Sequence, residues 1–146
     1  MTTIAYKDGV IAYDSRVSAD TLIISDTANK RVHVNGVDFF FVGAVHGQER
    51  LLKSYFLKDY TPSKSPNCAA MVVDEGELFI VQVNKEKGMF RTPLDPSIPH
   101  AMGSGEDHAL TAMDMGASAA EAVKMAAKRD MCTGGKVRTF KCKLER

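Results

Sequence analysis

The sequence predicts an α+β fold in which antiparallel sheets are sandwiched between helical layers. Three observations lead there. Paired apolar runs are joined by short turns, at Asp8-Gly9, at Asn35-Gly36 and across Asp74-Glu75-Gly76-Glu77, which is the pattern of hairpins. The helical patterns come as a block of one and then a block of two. The order is strands, helix, strands, two helices, strand, without the regular β-α-β alternation of a parallel doubly wound sheet.

The elements follow in order. Thr3-Ile4-Ala5-Tyr6 and Val10-Ile11-Ala12-Tyr13 flank Lys7-Asp8-Gly9 and form the opening hairpin. Val32 and Val34 alternate with Arg31 and His33, and after Asn35-Gly36 the run from Val37 to Val45 reads as a nearly continuous apolar strand. Leu51, Leu52, Tyr55 and Phe56 then share one helix face, which predicts a helix over 48–59. Thr61 to Asn67, with two prolines and two lysines, reads as an exposed loop. Cys68 to Val73 and Leu78 to Val83 form a further hairpin, and Pro93 to Pro99 an irregular connection. One helix starts after Gly103-Ser104-Gly105 and stops near Gly116. The next opens on the capping box Ser118-Ala119-Ala120-Glu121 and runs to about Asp130, with a small-residue face of Ala119, Ala122, Val123, Ala126 and Ala127. Phe140, Cys142 and Leu144 alternate with Lys141 and Lys143 in a last strand.

A chain of 146 residues suits one domain spanning 1–146, because two would each be too small for a sound core. With 19 Lys plus Arg against 18 Asp plus Glu, no overall field recruits nucleic acid or an anionic membrane. Cys68, Cys132 and Cys142 are odd in number and lack paired CxxC spacing, so they read as buried thiols in a reducing cytoplasm. No apolar run approaches the ~20 residues of a membrane span, and the N-terminus lacks the regions of a secretion signal; the expected location is cytoplasmic. His33, His46, His100 and His108 show no ligand spacing, so neither a metal nor another cofactor is expected.

Thr2 carries the chemistry. Removal of Met1 exposes a secondary alcohol beside a free α-amine, whose unperturbed pKa of roughly 8 suits it as base for its own hydroxyl. Met-Thr alone is weak evidence, since many chains begin so. Four further segments accompany it: Gly9-Val10-Ile11-Ala12-Tyr13-Asp14-Ser15-Arg16 with Lys30 beyond, Gly43-Ala44-Val45-His46-Gly47, Gly103-Ser104-Gly105, and Arg129-Asp130-Met131-Cys132-Thr133-Gly134-Gly135. In this order they resemble the motifs of proteasome β subunits and bacterial HslV, the threonine peptidases among the N-terminal-nucleophile hydrolases. The resemblance spans almost the whole chain and implies their four-layer αββα sandwich. Arg31 competes with Lys30 for the family's lysine, and the strand alternation of Val32 and Val34 decides for Lys30.

Each matched residue then has a physical task. Lys30 would disfavour protonation of the Thr2 amine and steady an alkoxide-like hydroxyl, and Asp14 would hold Lys30 charged. The bland alternative for Asp14 and Lys30 is a surface ion pair. Gly47, ahead of a helix, would offer its N–H to an oxyanion, or is simply a turn glycine. The resemblance makes Ser104, Asp130 and Thr133 the polar surround of the amine; the alternative is helix capping. Thr133 stands where the family usually has serine. Cys132 beside them would be the alternative nucleophile. The resemblance also places Val17, Ala28, Val32 and Val45 in the pocket for the residue preceding the cut bond, which implies an apolar preference, with Glu49 nearby as the group that could admit a basic residue instead. It implies unfolded protein or peptide substrates, a homo-oligomeric ring and a separate AAA+ ATPase as partner. The chain is shorter than typical members, with trimmed loops. A silent scaffold or an amidase acting on a small amide are the alternatives to a peptidase.

Overall fold

The computed structural model describes residues 2–43, 47–58, 67–84 and 88–144. Met1, Val45 and most of the 61–67 loop lie outside these residues. Among the described residues, eleven strands and three helices follow one another: β1 Thr3–Lys7, β2 Val10–Tyr13, β3 Val17–Ala19, β4 Leu22–Ser25, β5 Arg31–Val34, β6 Val37–Gly43, α1 Gln48–Leu57, β7 Cys68–Asp74, β8 Glu77–Asn84, β9 Gly88–Pro93, β10 His100–Gly103, α2 Glu106–Asp114, α3 Ala119–Ala127 and β11 Arg138–Lys141. The chain is α+β, and every strand pair is antiparallel. Among the described residues, one sheet has the order β10-β1-β2-β11, a larger one β5-β6-β7-β8-β9, and β3 and β4 form a two-stranded sheet.

The predicted hairpins form because their turn residues accept a left-handed backbone. Asp8 and Gly9, Asn35 and Gly36, and Glu75 and Gly76 all have positive φ, as two-residue turns matched to strand twist require. Helix α3 starts on the predicted capping box: the Ser118 hydroxyl accepts from Glu121 N–H and the Glu121 carboxylate from Ser118 N–H. It stops at Ala127 rather than near Asp130, and α1 stops at Leu57, where Lys58 takes a left-handed conformation. Strands β3, β4, β9 and β10 have no counterpart in the sequence reading.

Strand alternation sorts the core. Ile4, Tyr6, Ile11 and Tyr13 meet Phe40, Val42, Met71 and Val73 between the sheets. The alternate residues Phe39, Phe41, Ala70, Val72 and Val81 of the larger sheet pack with Leu51 of α1. Ala5 and Ala12 pack with Ala109, Ala119, Ala122, Val123 and Ala126 of α2 and α3. Apart from Asp38, strands β6 and β7 are therefore largely apolar on both faces, which explains their long hydrophobic runs. The alanines let α3 approach β1 and β2 closely, and that draws the turn following α3 toward the start of β1. Each fully buried phenylalanine contributes about 1.5–3 kcal/mol.

Candidate active site

Asp14 follows directly on β2, is fully buried, and gathers donors from four parts of the chain. Its Oδ1 accepts from Lys30 Nζ at 2.7 Å, from Thr3 N–H at 3.2 Å and from the Thr2 hydroxyl. Its Oδ2 accepts from Gly134 N–H at 3.0 Å and Arg16 N–H at 3.3 Å. Lys30 Nζ also donates to Thr2 Oγ1, so hydroxyl, ammonium and carboxylate are in mutual contact. This is no surface pair: the Lys30 side chain is 10% exposed and that of Asp14 is 0%. Burial pushes the Lys30 ammonium below its ordinary value, while the charge of Asp14 and the hydrogen bond to it act in the opposite direction.

The neighbouring Arg31 turns elsewhere. Its guanidinium pairs with Asp38 at 2.6 Å and lies 4.6 Å above the Phe140 ring. Lys30, just ahead of β5, is held by its carbonyl, which accepts from Phe41 N–H at 3.1 Å.

A second polar group lies against the start of β1. Asp130 Oδ2 accepts from Ser104 Oγ at 2.5 Å and Thr133 Oγ1 at 2.6 Å, and Oδ1 accepts from Cys132 N–H at 3.2 Å. Burial works against the charge on Asp130, yet these donors hold its carboxyl below the usual range. Capping does not account for them. The N-cap of α2 is Gly105, with no side-chain cap bond, and Asp130 lies beyond Lys128, the C-cap of α3. Gly103 has φ +103°, and a Cβ there would fall 1.8 Å from the Thr2 carbonyl oxygen. Gly103→Ala is accordingly expected to cost at least about 2 kcal/mol, from backbone strain and from displacing the residue that carries the hydroxyl. Thermal melts check this, and an unchanged Tm would contradict it.

A cleft of about 380 Å³ opens beside Thr2 and Lys30. Val17 and Ala28 line it, together with Phe41, Val42 and Gln48. Of the other residues assigned to this pocket, Val45 lies outside the described residues. Val32 packs on the core shared with α1, and Glu49 is exposed and pairs with Lys53 at 3.2 Å. Gly47 is buried and forms the N-cap of α1, next to the cleft-lining Gln48. The structure thus brings Thr2, Asp14 and Lys30 together, and Ser104, Asp130 and Thr133 together beside them.

The sequence reading assigned no role to Thr3, whose hydroxyl lies 2.6 Å from Thr133 Oγ1, or to the clamp made by Arg16. Arg16 pairs with Asp26 at 2.8 Å and donates to the Met131 carbonyl at 3.1 Å. A Cβ on Gly134 would meet its guanidinium at 2.4 Å. For Thr3 a signal existed: alternation with Ala5 puts it on the helix-facing side of β1, where a buried hydroxyl needs a partner.

No family model matches the sequence, and no curated protein matches it. Solved structures do. Eukaryotic HslV from Trypanosoma brucei aligns over 96% of this chain and 98% of its own, with a TM-score of 0.66 and 16% identity. BPH of Thiobacillus denitrificans, in complex with epoxomicin, aligns over 99% of both chains with a TM-score of 0.64 and 19% identity. BPH without that compound gives 0.63 and 19%, over 99% of this chain and 98% of its own. The class the fold defines is therefore α+β with antiparallel sheets, and within it the fold is that of HslV and BPH.

Proposed function

We propose that this chain is a threonine endopeptidase of the proteasome β / HslV type, one domain over residues 1–146 with the four-layer αββα sandwich of N-terminal-nucleophile hydrolases. The observation that carries the reading is the contact of the Thr2 hydroxyl with both Lys30 and Asp14 in a buried cluster at the edge of an open cleft. A solvated surface pair would need neither the burial nor the hydroxyl. The packing of Leu51 of α1 with the larger sheet, and of α2 and α3 with Ala5 and Ala12 of the smaller, supports the layer order.

Removal of Met1 frees the Thr2 amine. Lys30 disfavours its protonation, so the amine accepts the hydroxyl proton as Oγ1 attacks the carbonyl of the bond to be cut. The tetrahedral oxyanion is met by the N–H of Gly47, at the positive end of α1. The amine passes its proton to the leaving amine, and water then hydrolyses the ester on Thr2. Asp14 keeps Lys30 charged and aimed, and the Ser104–Asp130–Thr133 group orients the amine. Apolar Val17, Ala28, Phe41 and Val42 favour an apolar residue before the cut bond. A closed homo-oligomeric ring, fed unfolded protein by a separate AAA+ ATPase in the cytoplasm, supplies the enclosure such a peptidase needs.

The test begins with intact mass. The native protein is expected to lack one methionine, to hydrolyse a fluorogenic peptide ending in leucine faster than one ending in arginine, and to bind epoxomicin. It should sediment as a ring. A correctly processed protein that leaves every peptide intact contradicts the reading and favours a silent scaffold.

A further inference from the structure

The two halves of the site are joined through Thr3. Ser104 has one hydroxyl proton, and its 2.5 Å contact with Asp130 Oδ2 uses it. The Thr2 carbonyl, 3.5 Å from the same hydroxyl, is at the outer limit of a bond and has no second proton to accept. The tie between the Asp130 group and the N-terminal strand must therefore run elsewhere. Thr133 donates to Asp130 at 2.6 Å, so its oxygen can act only as acceptor in the 2.6 Å contact with Thr3, and Thr3 is the donor. Both threonines are fully buried. On its backbone side, Thr3 N–H donates to Asp14 Oδ1 at 3.2 Å. One residue thus bonds to each of the two carboxylates' networks, and it is covalently bound to Thr2.

The packing is built around that hydroxyl. A Cβ on Gly105 would fall 2.1 Å from Thr3 Oγ1 and 3.2 Å from Thr133 Oγ1, so the absent side chain leaves room for the threonine pair. We infer that Thr3 is a positioning residue, whose hydroxyl bond to Thr133 fixes the backbone carrying the nucleophile between Asp14 and Asp130. The inference rests on the peptidase reading. Thr3 touches no reacting atom; it acts by setting where the Thr2 amine and hydroxyl stand relative to Lys30. Misplacement by 1 Å can cost on the order of 100-fold in rate, which is the scale at stake.

The experiment measures kcat, KM and Tm for Thr3→Val, Thr3→Ser, Thr133→Val and the double variant Thr3→Val/Thr133→Val, all with Thr2 intact and with the Thr2→Ala protein as the blank for contaminating activity. Valine keeps the shape of threonine and removes the hydroxyl. Thr3→Val is expected to lower kcat by about 10- to 100-fold with KM little changed. Thr3→Ser should restore most of the rate, and the double variant should lose far less than the product of the two single losses, because both remove the same bond. A Thr3→Val protein with wild-type kcat overturns the inference, as does a loss that serine fails to restore or losses that multiply. Should valine prevent folding, Thr3→Ala against Thr3→Ser isolates the hydroxyl, and equal rates overturn the inference. Wild-type hydrolysis that is Thr2-dependent but indifferent to Thr3 sinks this inference alone. Absence of any Thr2-dependent hydrolysis sinks the peptidase reading with it.

Discussion

Thr2→Ala is expected to bring peptide hydrolysis down to background while the protein keeps its fold and assembly. The substitution removes a hydroxyl held between Lys30 and Asp14. Those two still pair at 2.7 Å without it, so no buried charge is stranded. Thr3 N–H, Arg16 N–H and Gly134 N–H continue to satisfy the carboxylate. The loss is thus one of nucleophile, not of structure, and Tm should shift by no more than a few degrees. Thr2→Ser keeps a hydroxyl beside the same amine and should retain measurable turnover. A folded Thr2→Ala protein, free of contaminating protease and cleaving peptides at the wild-type rate, would contradict the mechanism and direct attention to Cys132 or Ser104.

Lys30→Ala should be nearly as damaging to turnover, and it should also destabilise the protein. Asp14 is fully buried, and removal of one partner from a buried pair typically costs about 3–5 kcal/mol. Three backbone donors remain on Asp14, which places the expected loss toward the lower end of that range. Lys30→Arg should not rescue activity, because a forked guanidinium cannot occupy the position of a compact ammonium that contacts both Thr2 and Asp14. Arginine activity equal to wild type would count against the role given to Lys30. Its pH behaviour adds a second readout. Burial lowers the Lys30 pKa in the folded state, so between that value and 10.5 the unfolded chain binds more protons. The contribution of Lys30 to stability therefore rises with pH through this alkaline window. Turnover should fall through the same window as the ammonium is lost, so rate and Tm measured together should move in opposite directions. A rate that stays flat up to pH 10.5 would contradict a charged Lys30 at the site.

Much of the fold was legible because its signals are local. Asp8-Gly9 and Asn35-Gly36 announce their hairpins through residues that accept positive φ, and Ser118 with Glu121 announces a helix start within four positions. What escaped depends on distant partners. Strand β10 is only His100–Gly103, without alternation, and becomes a strand because it lies along β1, nearly a hundred residues away. Strand β9 ends in Pro93 and, among the described residues, pairs with β8 at the edge of its sheet. Strands β3 and β4 form a ribbon on which Leu22, Ile23 and Ile24 are all exposed, so no buried face writes a period into the sequence. Helix α3 ends at Ala127, short of Asp130, whose carboxylate instead accepts from Ser104 and Thr133, partners that the local pattern does not reveal.

The site divides in the same way. Thr2, Asp14, Lys30 and the Ser104, Asp130 and Thr133 group could be named because they recur in a known order of motifs. Thr3 and Arg16 stood inside those motifs, but their duties arise from contacts with residues 26, 131 and 133, which spacing along the chain does not reveal. Val32 is a different case. Its place in a list of pocket positions said less than its alternation, which puts it on the α1 side of β5.

The donation from Gly134 N–H to Asp14 has a consequence for the life of the chain before it is finished. Thr2, Asp14 and Lys30 leave the ribosome first, and domains condense in the order of synthesis. The partners that complete the Asp14 carboxylate and the Asp130 group arrive more than a hundred residues later, at Asp130, Thr133 and Gly134. A nascent chain short of them carries the proposed nucleophile without the groups proposed to orient it. On the peptidase reading, competence to cut is withheld by the order of translation until these late residues have been made.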